Sequence, residues 1–235
     1  ALAAGNFSEA AGHFANIPQN SQNYGRACKG RGAALLRLHR LKEALPFLQS
    51  AHLALPKDAD ILVDGADVAR LMGGLRVAED TYKAARNLGA KGFQIDFGEA
   101  SIYQERNQWL EAAERWTQLD KNYPKNAYVL HNLGRAWHEL GETDKAFSLM
   151  SEAFELGNET QTLTTLALLA PHAKICNHED VRQIRIKLGE RLKQEEGNPA
   201  DAENKISQNK LIKIGYVSSF FHRRNWMKPV WALLN

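Results

Sequence analysis

The fold is decided by the stretch Asn126 to Asn158, whose sequence is NAYVLHNLGRAWHELGETDKAFSLMSEAFELGN. Apolar residues recur in it at intervals of three and four positions, and this spacing gives a helix one buried stripe. The pattern predicts two amphipathic helices joined by a turn at Gly141, since glycine adopts a positive φ without steric cost. One helix pair cannot bury both of its faces, so similar pairs are expected to stack against it.

Related helix pairs precede this stretch at a constant interval of 34 residues. Small residues recur at one position of the first helix, namely Gly32, Ala66, Ala100 and Gly134. Bulky residues recur at one position of the second helix, namely Leu48, Tyr82, Trp116 and Met150. A period of 34 with this spacing resembles the tetratricopeptide repeat (TPR) family. It predicts four repeats, at residues 25–58, 59–92, 93–126 and 127–158. The resemblance implies an all-α fold, a right-handed superhelix of antiparallel helix pairs.

Residues outside the four repeats are expected to form partial or different elements. Residues 1–18 have the pattern of the second helix of a truncated repeat, and residues 159–192 that of degenerate capping helices. Residues 193–208 are polar and are predicted to be a linker. Residues 209–235 contain a β-branched run, a loop and an apolar helix start, which predicts the first β–α unit of an incomplete α/β domain. We therefore expect the chain to be part of a longer protein.

Composition and cysteine usage limit the classes of partner. The 235 residues are 44% hydrophobic and 24% charged, with a net charge of +3, so nothing in the charge argues for a nucleic-acid partner and none is predicted. No membrane segment is predicted, because no apolar run approaches the roughly 20 residues that span a bilayer.

Cys28 and Cys176 lie far apart, which favours free thiols and a reducing, cytoplasmic location. No metal site is predicted, since His172, Cys176 and His178 lack a fourth ligand. The oligomeric state stays open.

The first helix of each pair is expected to line the concave side of the array. On that side the sequence places amides and charges that are suited to an extended peptide of an acceptor or other partner protein. The candidate groove residues are Lys29, Asp64, Asp67, Gln94, Tyr128, His131, Asn132 and Arg135. A solvated inner face without a defined ligand is the alternative.

The C-terminal region carries a second resemblance. The repeats run through degenerate helices into Lys213 to Ser219, KIGYVSS, followed by Phe221. This order is similar to that of the O-linked N-acetylglucosamine transferases of glycosyltransferase family 41, including their SPINDLY-type and bacterial relatives. That family often carries asparagine at the place of Asn132 in successive repeats, whereas the equivalent positions here are Gly98, Asp64 and Gly30.

The resemblance implies that the repeats recruit an acceptor protein for an enzyme that uses UDP-N-acetylglucosamine as donor. His222, Arg223 and Arg224 would then form a donor or acceptor loop, with His222 as the candidate for a catalytic role. The catalytic lobes are absent from this chain, so we expect no transferase activity from it alone. The alternative hypothesis is a stand-alone TPR scaffold or adaptor without enzymatic activity.

Overall fold

The computed structural model of the protein describes residues 6–196, and all regular structure in this range is helical. The helices are α1 (Phe7–Ala15), α2 (Tyr24–Arg37), α3 (Leu41–Ala54), α4 (Ala59–Leu71), α5 (Leu75–Asn87), α6 (Phe93–Glu105), α7 (Trp109–Asn122), α8 (Ala127–Glu139), α9 (Thr143–Gly157), α10 (Thr160–Leu169), a 3-10 turn (Ala170–His172) and α11 (His178–Glu196). The prediction of an all-α array is confirmed for these residues. The predicted β–α unit at 209–235 lies outside the described residues.

Consecutive helices form pairs joined by turns of one design. The first helices are α2, α4, α6 and α8, and the second helices are α3, α5, α7 and α9. Each turn has its middle residue in the left-handed region, at a spacing of 34 residues: His39 (φ 55°), Gly73 (84°), Asn107 (58°) and Gly141 (86°). The sequence predicts this conformation at Gly141. Histidine and asparagine adopt it at a steric cost that glycine avoids.

The small first-helix residues set the distance between the two helices of a pair. A methyl group added to Gly32 would lie 2.6 Å from Leu48 Cδ2, and one added to Gly134 would lie 2.7 Å from Met150 Cγ. Ala66 and Ala100 are buried at the matching positions. Because backbone and bulky side chain are already in contact, the pairs approach closely only with glycine or alanine there, as the repeat pattern predicts.

The bulky second-helix residues also pack on the first helix of the next pair. A methyl group on Gly98 would overlap the hydroxyl of Tyr82, and one on Gly30 would overlap the ring of Phe14. Tyr82 is 1% exposed. Glycine at positions 30 and 98 therefore leaves the space that these aromatic rings fill.

Stacking of the pairs produces four apolar clusters along the array. α2 packs on α4 and α4 on α6, whereas no comparable contact joins consecutive second helices within residues 6–196. The first helices therefore lie on the concave side. We call the solvent-facing side of α2, α4, α6 and α8 the inner face.

The array ends with α10 and α11. Leu163 and Leu166 of α10 are buried beside Met150 of α9, and Ile184 and Leu188 of α11 cover the same cluster in part. α11 continues to Glu196, past the linker start predicted at Lys193, because Lys193 to Glu196 have good helix propensity. Residues 197–208 of the predicted linker lie outside the described range.

None of the helices in the described part of the chain has the length and apolarity needed to cross a membrane.

Candidate functional site

The predicted groove residues all lie on first helices, and the side chains of most of them are hydrogen-bonded within the fold. Side-chain hydrogen bonds join each first helix to the next helix on this side, and four of them span 28 to 31 residues of sequence. They are Lys29 to Asp60, Gln94 to Asp64, Gln104 to Asn132, and His131 to Thr162. We call these contacts the inner-face bridges. They connect α2 to α4, α4 to α6, α6 to α8, and α8 to α10.

Lys29 is neutralised by two carboxylates. Its Nζ lies 2.8 Å from both oxygens of Asp58 and 2.9 Å from Asp60 Oδ2. Burial acts to lower the pKa of Lys29, but the hydrogen bonds to Asp58 and Asp60 outweigh it and raise the pKa. The ammonium group is therefore charged and already paired, so it offers little to an incoming carboxylate.

Asp64, Asp67 and Gln94 form one buried polar group. Gln94 Nε2 donates to Asp64 Oδ1 at 2.9 Å and to Asp67 Oδ2 at 2.8 Å, and Tyr82 donates a short hydrogen bond to Asp67 Oδ1. Asp67 also lies 3.8 Å from Arg70, whose guanidinium pairs with Glu105. Both aspartates are buried and hydrogen-bonded, so these residues shape the inner face rather than projecting from it.

The pKa of Asp64 is raised, and we expect this shift to have a measurable effect on the stability of the fold. Burial is the largest cause and raises the pKa of Asp64, while the hydrogen bond from Gln94 and the charge of Arg37 oppose it. The folded state thus binds this proton more tightly than the unfolded chain, and ionising Asp64 as the pH rises costs stability. Asp64→Asn should therefore raise the free energy of unfolding at pH 7, and this gain should vanish below the unfolded pKa of about 3.9.

Urea unfolding of Asp64→Asn and of the parent chain at pH 7 and at low pH measures this difference. The matched control is Asp80→Asn, because Asp80 is exposed on α5. An equal gain at both pH values, or the same pH dependence in the Asp80 variant, would contradict the assignment to Asp64.

Asn132 is held by two neighbours. Its Oδ1 accepts from Gln104 Nε2 at 2.8 Å, and its Nδ2 donates to the Tyr128 carbonyl at 2.8 Å. Gln104 Oε1 in turn accepts from Trp116 Nε1 at 3.1 Å. The amide predicted to bind a peptide is thus part of a chain of hydrogen bonds that begins in the core.

The bridge at α8 ends on a neutral imidazole. His131 Nδ1 lies 3.0 Å from Thr162 Oγ1. Burial, together with the nearby Arg135, lowers the pKa of His131 and keeps the ring neutral near pH 7.

Tyr128 and Arg135 project into solvent from the same helix. Tyr128 is 59% exposed, and the exposed Arg135 guanidinium lies 5.8 Å from the centre of the Trp109 ring. Of the eight predicted groove residues, these two offer an aromatic surface and a cation to a ligand most directly.

Sequence analysis did not assign hydrogen bonds to Asp58, Tyr82, Trp116 and Thr162. Tyr82 and Trp116 were placed as packing residues, although buried tyrosine and tryptophan usually find a partner for their O–H or N–H. That rule is the signal that identifies Tyr82 as a donor to Asp67 and Trp116 as a donor to Gln104.

The loop residues His222, Arg223 and Arg224 lie outside the described residues, so the structure does not test their assignment. In the described part of the chain, no cluster of three or more His, Cys, Asp or Glu is arranged to hold a metal ion. Cys28 is buried and Cys176 half-buried, and both are free thiols.

Solved structures with stacked helix pairs resemble this chain. MamA (41-end) from Desulfovibrio magneticus RS-1 is 15% identical with a TM-score of 0.56, covering 75% of this chain and 97% of that one. The APC/C hetero-tetramer Cut9-Hcn1 gives 16% identity and a TM-score of 0.68, covering 85% of this chain and 39% of that one. The human IFIT1 dimer with PPP-AAAA gives 17% identity and a TM-score of 0.63, covering 78% of this chain and 46% of that one.

The chain has a TPR-like repeat fold. This conclusion combines these similarities with the 34-residue period of small, bulky and turn positions. No protein-family model matches the sequence, and no curated protein matches it either. The resemblance to family-41 glycosyltransferases therefore depends on the sequence pattern alone, and its Lys213 to Ser219 part lies outside the described residues.

Proposed function

We propose that the chain is a protein-binding repeat scaffold that takes an extended segment of a partner protein along its inner face. One observation carries this proposal: the bridges fix the spacing of the first helices while Tyr128 and Arg135 project from that face into solvent. A surface that is ordered before binding loses less entropy when a ligand arrives.

The charge of the inner face favours a peptide over a nucleic acid. Asp60, Asp64 and Asp67 lie on α4, and Lys29 is already paired with two carboxylates. A nucleic-acid backbone is held by several uncompensated cations, and on this face Lys29 is already paired, whereas a polar peptide would meet side chains that donate and accept hydrogen bonds. The Cut9-Hcn1 structure, a hetero-tetramer with a similar fold, supports a role in protein assembly.

A selection from a random peptide library displayed on phage, using the full chain, tests this function. Selected peptides should lose about tenfold in affinity for Tyr128→Ala and for Arg135→Glu, which corresponds to about 1.4 kcal/mol for each change. Leu110→Ala is the control for Tyr128, because Leu110 is 58% exposed on the second helix α7. Arg76→Glu on α5 is the control for Arg135. Failure to select any peptide, or equal losses in the control variants, would refute the proposal.

A second function is favoured by the KIGYVSS sequence at Lys213 to Ser219. In this version the scaffold recruits acceptor proteins for a glycosyltransferase of family 41 that uses UDP-N-acetylglucosamine. The intact parent protein should then transfer a labelled sugar from this donor to serine or threonine of a bound protein. Absence of both transfer and nucleotide binding would leave the scaffold function without the enzyme.

A further inference from the structure

A cleft opens in the inner face beside the C-terminal half of α4. Its apolar wall is formed by Leu36, Leu71, Phe93 and Phe97, and its volume is about 360 Å³. Leu71 is 41% exposed, and the half-buried rings of Phe93 and Phe97 lie 5.4 Å apart. The cleft therefore presents apolar surface to solvent at a size within the lower range of ligand pockets.

The acids that border the cleft are compensated within the fold. Asp67 accepts hydrogen bonds from Tyr82 and Gln94 and lies near Arg70. Arg70 in turn pairs with Glu105. These groups therefore add little uncompensated charge to the cleft.

The basic side chains on the rim are different. Arg37 and His39 line the cleft and are exposed, and in residues 6–196 neither side chain forms an ion pair or a hydrogen bond. Arg37 is close enough to buried Asp64 to act on it electrostatically, but it does not contact it. The rim therefore has a positive character next to an apolar wall, which is complementary to an acidic group beside an apolar one.

Arg70 leaves one enclosed donor beside the cleft. Its side chain is only 10% exposed, and its Nε–H has no acceptor in the part of the chain that the structure describes. Buried donors without an acceptor are rare in folded proteins and indicate a site where water or a ligand group supplies one.

We infer that this cleft is the anchor of the peptide site and takes a large apolar side chain, with an acidic side chain two positions away on Arg37 and His39. Side chains two positions apart lie on the same side of an extended chain, so both can face the protein. The inference rests on the proposed function and gives the sequence that its ligand requires: leucine or phenylalanine, any residue, then aspartate or glutamate, in either direction.

Short labelled peptides on a Gly-Ser-Thr background test this requirement by fluorescence anisotropy with the full chain. The peptide containing Phe-Ser-Glu should bind most tightly. Replacing Phe by Ala should weaken binding about tenfold or more, as expected for loss of a buried apolar side chain. Replacing Glu by Lys should weaken it about fivefold at low salt and less at high salt.

Variants of the protein provide the reciprocal measurement. Leu71→Ser should weaken the Phe-Ser-Glu peptide about tenfold, whereas Leu110→Ser, exposed on α7, should not. Arg37→Glu should reverse the preference, so that Phe-Ser-Lys binds better than Phe-Ser-Glu, and Arg76→Glu should leave the preference unchanged. Since a reversed preference is a gain of binding, loss of folding cannot imitate it.

The outcomes separate this inference from the function on which it rests. If library peptides bind in a manner sensitive to Tyr128→Ala but indifferent to Leu71→Ser and Arg37→Glu, the scaffold function stands and the cleft assignment is wrong. If no library peptide binds at all, the scaffold function itself fails. If a single-stranded oligonucleotide binds the cleft with Arg37 dependence while the peptides do not, the ligand class is wrong.

Discussion

Trp116→Ala should lower the free energy of unfolding by about 3–5 kcal/mol, the cost of removing a fully enclosed aromatic side chain. Trp116 is 0% exposed, and its ring centre lies 4.9 Å from that of Phe97. Its Nε1 also donates to Gln104, so the truncation leaves both a cavity and a buried amide oxygen without this donor. Urea unfolding followed by far-UV circular dichroism measures the loss.

Two further variants separate volume from hydrogen bonding at this position. Trp116→Phe keeps most of the apolar volume and removes the N–H donor, so a loss of about 1–2 kcal/mol is expected. Trp109→Ala is the control for tryptophan content, and because Trp109 is only half-buried its loss should be smaller. A loss below about 1 kcal/mol for Trp116→Ala would contradict the enclosed packing.

Gly98→Ala and Gly65→Ala should change stability in opposite directions, although both add one methyl group to a first helix. At Gly98 the methyl overlaps the hydroxyl of Tyr82, which is buried and bonded to Asp67, so we expect a loss of about 2–3 kcal/mol. At Gly65 no atom lies within 4 Å of the added methyl, so the higher helix propensity of alanine should add about 0.5–1 kcal/mol.

Thermal or urea unfolding of both variants provides the comparison. Combining Gly98→Ala with Tyr82→Leu should cost less than the sum of the two single changes, because the smaller side chain makes room for the methyl. Gains in both glycine variants, or strictly additive losses in the double variant, would show that Tyr82 does not fill the space at Gly98.

The repeat architecture was predictable because it depends on short-range contacts that recur with the sequence. Gly134 lies 16 residues before Met150 in the same hairpin, and this relation repeats at Gly32 and Leu48. The turn conformation was foreseen at Gly141 but not at His39 or Asn107, since those residues take a positive φ only where the surrounding helices impose it.

The sequence predicts which residues lie on the inner face, but not that their side chains are already hydrogen-bonded within the fold. Sequence analysis identified Asp64, Asp67, Gln94 and Asn132 as facing the groove, yet treated them as free to meet a ligand. The bonds of Gln94 to Asp64 and Asp67, and of Asn132 to Gln104, join residues 27 to 30 positions apart, so they depend on how far each first helix is displaced along the next. A 34-residue period does not fix that displacement. The cleft at Leu71 was missed for the same reason, because its walls come from three different repeats.

The inner-face bridges have a mechanical consequence. Straightening a curved stack separates its elements most on the concave side, which is where Gln94 holds Asp64 and Gln104 holds Asn132. Under tension these bonds therefore resist elongation, in addition to the apolar packing behind them. Lys29 ties α2 to α4 through ion pairs with Asp60, which is 80% exposed, and with the half-buried Asp58 that caps α4, and salt screens such pairs. Raising the salt concentration should therefore weaken the resistance between α2 and α4, while the uncharged bridge between Gln104 and Asn132 keeps its strength.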